Sequence, residues 1–232
     1  MTVASRPPAG TELLDDLEAD PERVALSLRN IGRSNLWFGG RSAVSSALSR
    51  VLAKVPRGES LSLLDVGTGL GDLPRAAVAW GRRRGLQIRP FGLERHPAAA
   101  RIAKAGGLTT LIGCGGSLPL RSRGVDLVIV SQVAHHLEPE ILEALLRECD
   151  RVARRAVIVS DLRRSRLAEA GFWIGARLLR FDSDTRIDGL RSIRRGFSAA
   201  ELVRTLEQAG IRGRVWRHPM FRLVAAWQPA HG

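Results

Sequence analysis

Cysteine is scarce in this chain, since Cys114 and Cys149 are the only two among 232 residues. No CxxC pair occurs, which excludes a disulfide framework and a structural zinc site. Long apolar runs are missing as well, so we expect no transmembrane segment. Residues 1–20 lack the basic start and apolar stretch of a signal peptide. These absences predict a protein of the reducing cytoplasm.

Lysine is also rare, so the formal net charge of +13 comes almost entirely from arginine. Lys54 and Lys104 are the only lysines, and the arginines are scattered through most of the predicted helices. A polyanion such as RNA, or an anionic membrane surface, would suit this charge. A GC-rich coding sequence gives the same arginine bias without any binding function. The charge alone therefore leaves both explanations open.

Internal repeats and low-complexity tracts are missing too, while 44% hydrophobic residues suffice for a packed core. We expect a helical N-terminal cap over residues 1–56, with a Gly-Gly turn ending at residue 40, and an α/β domain over residues 57–232. Amphipathic stretches separate most of the predicted strands, which favours a mainly parallel sheet with helices on both faces. The predicted strands are five short apolar runs at residues 62–66, 88–93, 110–112, 125–131 and 156–162.

The chain ends in a pattern of its own. Ser198 and Glu201 have the spacing of a capping box that begins a helix. Residues 214–218 and 221–226 then predict a terminal hairpin.

A glycine-rich turn, residues 65–71 (DVGTGLG), follows the first predicted strand. Its glycines would let a ligand approach backbone N–H groups, and the next helix adds its positive N-terminal end. Asp72 follows the turn, and a carboxylate there disfavours a pyrophosphate. The pattern favours a cationic ligand without phosphate, although a tight turn without any ligand is the alternative.

Glu94 closes the second predicted strand, directly after Gly92-Leu93. A carboxylate at this place can accept hydrogen bonds from both hydroxyls of a ribose. The alternative is an ordinary exposed glutamate at a strand end, but the placement favours the ribose.

Five segments, in this order, resemble the class I S-adenosyl-L-methionine (SAM)-dependent methyltransferases of the small-molecule type: LLDVGTGLG, FGLERHP, SLPL, VDLVIVSQVAHHLEP and VIVSDL. The resemblance covers roughly residues 61–228. It implies a Rossmann-like α/β fold with a seven-stranded sheet in the order 3-2-1-4-5-7-6, strand 7 being antiparallel. It also implies SAM as the cofactor and a substrate lid at residues 163–197, inserted after strand 5.

The resemblance further implies the cofactor residues. Asp65 and the glycines would lie near the methionine moiety, Glu94 on the ribose, and Gln132 or Val133 at the reaction centre. Many relatives place an aspartate in the loop after strand 3 to meet the adenine amino group. Here that loop contains Cys114, a poor acceptor that Ser117 or a backbone carbonyl could replace. The predicted set is Asp65, Gly67, Thr68, Gly69, Gly71, Glu94, Cys114, Ser117, Gln132 and Val133.

His135 and His136 follow the fourth strand and are candidate general bases, because imidazole titrates near neutral pH. Alternatively, one of them caps the next helix or packs beneath the substrate. Metal binding by the pair is not expected, since adjacent residues seldom point together.

The acceptor is expected between residues 30–40 and the insert at residues 163–197. Apolar residues lie among arginines in this insert, which favours a pocket for an aromatic, polyketide-like or quinone-like molecule, or a membrane-facing helix. A helix that buries one face and solvates its arginines is the plainer alternative. The candidate substrate residues are Trp37, Phe38, Phe172, Trp173 and Arg177.

Together these patterns predict a cytoplasmic enzyme of secondary metabolism that methylates a small apolar or aromatic acceptor at O or C. RNA or tRNA methylation is the first alternative, although residues 131–134 (SQVA) lack the Asn/Asp-Pro-Pro-aromatic signature and no Pro-Cys follows strand 4. A non-catalytic SAM-binding interaction protein is the second, because the loop around Cys114 departs from the family. The pattern predicts neither the acceptor nor the oligomeric state.

Overall fold

The structure is a computed structural model that describes residues 12–229, and a seven-stranded sheet lies at its centre. The strand order is β3-β2-β1-β4-β5-β7-β6, with β7 antiparallel to both of its neighbours. This confirms the predicted Rossmann-like fold. The strands are β1 (Ser60–Val66), β2 (Gln87–Glu94), β3 (Thr110–Ile112), β4 (Val125–Ser131), β5 (Ala153–Leu162), β6 (Arg214–His218) and β7 (Arg222–Trp227).

Eight α-helices surround this sheet within residues 12–229. In the same range, every helix is too short or too polar to cross a membrane. The first part of the predicted cap, residues 1–11, lies outside the described residues. The helices are α1 (Pro21–Trp37), α2 (Gly40–Val51), α3 (Asp72–Arg84), α4 (Pro97–Ala105), α5 (Pro139–Val152), α6 (Arg166–Leu178), α7 (Ser183–Arg195) and α8 (Ala199–Gln208).

The central strands are largely apolar because both of their faces are covered. Alternate residues of a strand point to opposite faces. Leu64 accordingly packs with α5 and α8, whereas Leu63 packs with α2 and α3. All seven residues of β4 are buried. The continuous apolar runs in the sequence therefore report burial on two sides.

The insert after β5 and the end of α1 cover the edge of the sheet where the parallel strands have their carboxyl ends. Residues 163–197 form α6 and α7, which share an apolar cluster with Phe38 at the end of α1. Helix α1 ends at Trp37, and Gly39 turns the chain with a φ of +80° into α2. The expected turn before residue 40 is present, although residues 35–37 still belong to α1. The capping box predicted at Ser198 and Glu201 is also present.

Candidate active site

A cavity of about 690 Å³ opens at the carboxyl ends of β1, β2, β4 and β5. Ligands of open α/β sheets bind at this edge, because the loops that follow the strands diverge there. The end of α1, the insert helices and the β6–β7 hairpin supply the rest of its wall. The cavity therefore joins the predicted cofactor turn to the predicted substrate lid.

The glycine turn after β1 forms one end of this cavity. Gly67 and Gly69 have φ angles of +71° and +51°, which side-chain-bearing residues seldom adopt. A Cβ atom at Gly67 would also clash with Val133. Glycine at position 67 therefore permits both the left-handed turn and its close packing against Val133.

Glu94 is fixed above the turn by backbone groups. The N–H of Gly69 donates to Glu94 Oε2 at 2.8 Å, and those of Arg95 and His96 donate to Oε1 at 2.9 and 3.1 Å. A carboxylate oxygen can accept more than one hydrogen bond, so ribose hydroxyls could still bind. This geometry places Glu94 where a nucleoside sugar over the turn would lie.

Asp65 lies buried beneath the same turn. Burial raises the pKa of its carboxyl to about 8, while a hydrogen bond from the Thr68 hydroxyl, 2.8 Å away, opposes that shift. A cationic ligand above the turn would favour the ionised form. The donors and acceptors present thus fit a positively charged nucleoside such as SAM.

Gln132 connects the carboxyl end of β4 with the N-terminal helices. It follows β4 with a φ of +56°, and its Nε2 donates to Asn35 Oδ1 at 2.6 Å. The amide of Asn35 in turn lies 3.3 Å from both carboxylate oxygens of Asp72. Sequence reasoning singled out Gln132 but missed Asn35, because no local pattern marks a contact between residues 97 positions apart.

His135 forms a buried pair with Asp161 at the end of β5. Its Nδ1 lies 2.6 Å from Asp161 Oδ1, and both side chains are almost fully enclosed. Burial alone would raise the pKa of Asp161. The charge of His135, its hydrogen bond and that of the Leu162 N–H outweigh burial and lower the pKa. Asp161 is thus an ionised partner that orients the imidazole, and sequence reasoning did not assign it a role.

Glu12 approaches the histidines from the other end of the chain. Its Oε2 lies 3.8 Å from His136 Nε2, while Ser192 and Arg195 contact the same carboxylate at 3.0 and 3.2 Å. Burial raises the pKa of Glu12. Glu12, His135 and His136 could together hold a metal ion, where the sequence predicted none. The guanidinium of Arg195 would compete with such a cation for Glu12.

Most predicted cofactor residues line the cavity, but Gly71 and Ser117 do not. Gly71 precedes α3 and faces Leu108, and Ser117 is exposed. Cys114 and its neighbouring glycines lie on the wall near Glu94, so adenine would meet backbone groups there. The lining members of the set are Asp65, Gly67, Thr68, Gly69, Glu94, Cys114, Gln132 and Val133.

The predicted substrate residues divide into two groups. Phe38 and Phe172 line the cavity with ring centroids 5.6 Å apart. Trp37 and Trp173 are exposed, and Arg177 stacks over Trp173 at 3.6 Å on the surface. Adjacent residues of a helix point about 100° apart, so a buried Phe172 turns Trp173 outward. The structure therefore brings two of the five residues to the cavity.

A family model described as "Methyltransferase domain" matches residues 64–159, which include the glycine turn, Glu94, His135 and His136. The match identifies residues 64–159 as a methyltransferase domain. No match was found among curated proteins.

Solved structures of methyltransferases share the fold at low sequence identity. A SAM-dependent methyltransferase from Aquifex aeolicus is 20% identical with a TM-score of 0.59, over 92% of this chain and 100% of that one. Magnesium protoporphyrin IX methyltransferase from Synechocystis with bound SAM is 15% identical, with a TM-score of 0.54 over 87% and 85% of the two chains. Human N-acetylserotonin methyltransferase in complex with SAM is 14% identical, with a TM-score of 0.63 over 91% and 57%.

Proposed function

We propose that this methyltransferase transfers the methyl group of SAM to a hydroxyl oxygen of a small, largely apolar acceptor, with His135 as general base. One observation carries the proposal: a buried imidazole, held by an ionised carboxylate, lines the same cavity as the cofactor turn. Methylation at an acidic carbon would use the same base and differ only in the attacking atom.

The cofactor is assigned to the end of the cavity where backbone groups converge. Glu94 would accept the ribose hydroxyls, the glycines around Cys114 would flank adenine, and Asp65 would lie near the charged methionine moiety. SAM supplies a methyl group that its sulfonium makes labile. The protein then needs to align the acceptor, exclude water and accept one proton.

The acceptor is assigned to the opposite end because of the side chains there. Phe38 and Phe172 form an apolar wall in the cavity that His135 also lines, with further apolar groups from the insert and the hairpin. Pockets of this kind bind flat or hydrocarbon-rich molecules and use a few polar groups for orientation. An acceptor with one acidic hydroxyl on an aromatic or polyketide-like body fits this wall.

Proton transfer follows from the pairing of His135. With Nδ1–H donated to Asp161, Nε2 is the nitrogen that can accept the hydroxyl proton. SAM held at the glycine turn would supply the methyl group to the acceptor oxygen and would leave as neutral S-adenosylhomocysteine, while His135 accepts the hydroxyl proton. Ionised Asp161 stabilises the positive charge that His135 then holds. The proton is released to solvent when the products leave.

Transfer of labelled methyl groups from SAM to a panel of phenols, quinols, polyketide-like enols and total tRNA tests the proposal. We expect labelled phenol or enol products, and His135→Gln to lower kcat on the order of a hundredfold while S-adenosylhomocysteine binds as before. His218→Gln, a matched change on β6 outside the cavity, should leave turnover intact. Full activity of His135→Gln would refute the base assignment, and labelled tRNA alone would favour the nucleic-acid alternative.

A further inference from the structure

The surface beside the cavity mouth carries an unusual number of exposed apolar side chains. Leu178 is 78% exposed and Leu167 is 72% exposed, both on α6. We call this surface the apolar rim. It consists of Leu36, Trp37, Leu167, Trp173, Ile174, Leu178 and Met220.

Contacts between three elements bring the rim together. Phe38 packs against Phe172, and Arg33 donates to the carbonyl of Leu179 at 2.7 Å, so the end of α1 lies against the second half of α6. Met220, at the tip of the β6–β7 hairpin, adjoins Gly39. Phe38, Phe172 and Met220 also line the cavity. The rim therefore borders the opening through which an acceptor would pass.

Helix α6 has two apolar faces. Its inner face buries Ala168, Phe172 and Ala176. Its outer face carries Leu167, Ile174 and Leu178, seven and four residues apart, which is the spacing of a second apolar stripe. A surface helix normally turns polar residues outward, and a contiguous exposed apolar face marks an interaction site.

The charge around the rim identifies the kind of partner. Residues 163–197 contain nine arginines and four acids. Four of these arginines pair with carboxylates, namely Arg164, Arg191, Arg194 and Arg195. Arg166 and Arg177 are exposed on α6, and Arg177 covers the ring of Trp173. Tryptophan, leucine and arginine on one helix suit the interface of an anionic bilayer. A second copy of this chain would instead place one arginine-rich surface against another.

We propose that the apolar rim docks the protein on an anionic lipid bilayer, with α6 lying in the interface and the cavity mouth turned toward the lipid. The apolar side chains enter the acyl boundary, and the arginines contact lipid phosphates. The proposal does not depend on the identity of the acceptor. It does offer a lipid-soluble acceptor a path into the cavity that avoids water.

Co-sedimentation of the full chain with vesicles tests the apolar contribution. We expect binding to vesicles of phosphatidylglycerol and phosphatidylcholine in equal parts. The double variant Ile174→Gln/Leu178→Gln should weaken this binding about tenfold or more. Leu26→Gln/Val203→Gln makes the same uncharged change at exposed apolar residues outside the rim, and it should bind as the parent does. This control separates insertion of the rim from general attraction by the net positive charge.

A second pair of variants tests the charge. Arg166→Gln/Arg177→Gln should weaken binding several-fold more than Arg101→Gln/Arg204→Gln, which removes two exposed arginines elsewhere. Equal losses in the two pairs would overturn the proposed orientation. An absence of vesicle binding, or binding that Ile174→Gln/Leu178→Gln leaves unchanged, would overturn the docking itself. Self-association lost in that variant, without vesicle binding, would instead assign the rim to a second copy.

Discussion

The cofactor side of the cavity and its acceptor side differ in how far apart their residues lie along the chain. On the cofactor side, the N–H of Gly69 binds Glu94, which is 25 positions downstream. On the acceptor side, Ser192 binds Glu12 across 180 positions. The cofactor side depends on backbone groups at strand ends, which a local pattern specifies. The acceptor side depends on side chains that only the folded chain brings together. Variants on the acceptor side should therefore lower kcat, whereas variants on the cofactor side should lower the affinity for the cofactor.

The largest effect is expected on the acceptor side. Asp161→Asn should lower kcat on the order of a hundredfold, because the imidazole of His135 loses the carboxylate that orients it and stabilises its charge. The acceptor KM and the affinity for S-adenosylhomocysteine should stay near the parent values, as steady-state kinetics and calorimetry would measure. A parallel loss of cofactor affinity would mean that Asp161 supports the fold of both sides. The proposed separation between effects on kcat and effects on cofactor affinity would then be wrong.

The cofactor side should show the opposite signature. Glu94→Ala removes the carboxylate that we propose to bind the ribose, and the affinity for S-adenosylhomocysteine should fall about tenfold or more, on the order of 1.5–3 kcal/mol. At saturating SAM, kcat should change little. Glu94→Gln, which keeps the shape and one acceptor oxygen, should lose less. Calorimetry measures all three affinities, and an unchanged value for Glu94→Ala would remove this residue from the site.

The buried Asp65 predicts how stability depends on pH. Its pKa is about 8 in the folded protein and near 3.8 when unfolded, so the folded state binds the extra proton between these values. Stability should therefore fall as the pH rises through this window, by at most about 1.4 kcal/mol per pH unit. Urea unfolding of Asp65→Asn at several pH values should give a shallower dependence. An identical slope in the variant would place the titrating group elsewhere.

The smallest effect concerns the residue that links both sides. Asn35→Ala removes the hydrogen bonds to Gln132 and Asp72, and the free energy of unfolding should fall by about 1 kcal/mol. Asn30→Ala is a useful comparison on the same helix, because Asn30 binds Asp182 of the insert at 2.7 Å. We expect only Asn35→Ala to weaken S-adenosylhomocysteine binding measurably. Equal affinities in the two variants would confine Asn35 to a structural role.

The same contrast explains what could be predicted from the sequence. The strands and the glycine turn follow from short apolar runs, and Glu94 follows from its place at a strand end. The strand order came only from the resemblance to the methyltransferase family. Asp161 lies within the VIVSDL segment, yet nothing nearby indicates that it pairs with His135, 26 positions away. Glu12 is further still from its partners, and no periodicity connects them.

Three predicted substrate residues, Trp37, Trp173 and Arg177, lie outside the cavity for a different reason. The sequence shows aromatic residues in the insert, but which face of α6 turns inward depends on how the helix packs. Phe172 and Trp173 are neighbours with opposite environments. Residue type alone could not separate the wall of the cavity from the outer surface, whereas the contact with Phe38 does.

Two bonds made by the end of α1 bear on how products leave. Asn35 binds Gln132 on the cofactor side, and the carbonyl of Phe38 accepts a hydrogen bond at 2.8 Å from the buried guanidinium of Arg222 in the hairpin. In the proposed arrangement, the same helix end would cover both reactants. Release of S-adenosylhomocysteine and of the methylated product would then require the same movement of the α1 end. A variant that loosens α1 should therefore increase the release rates of both products.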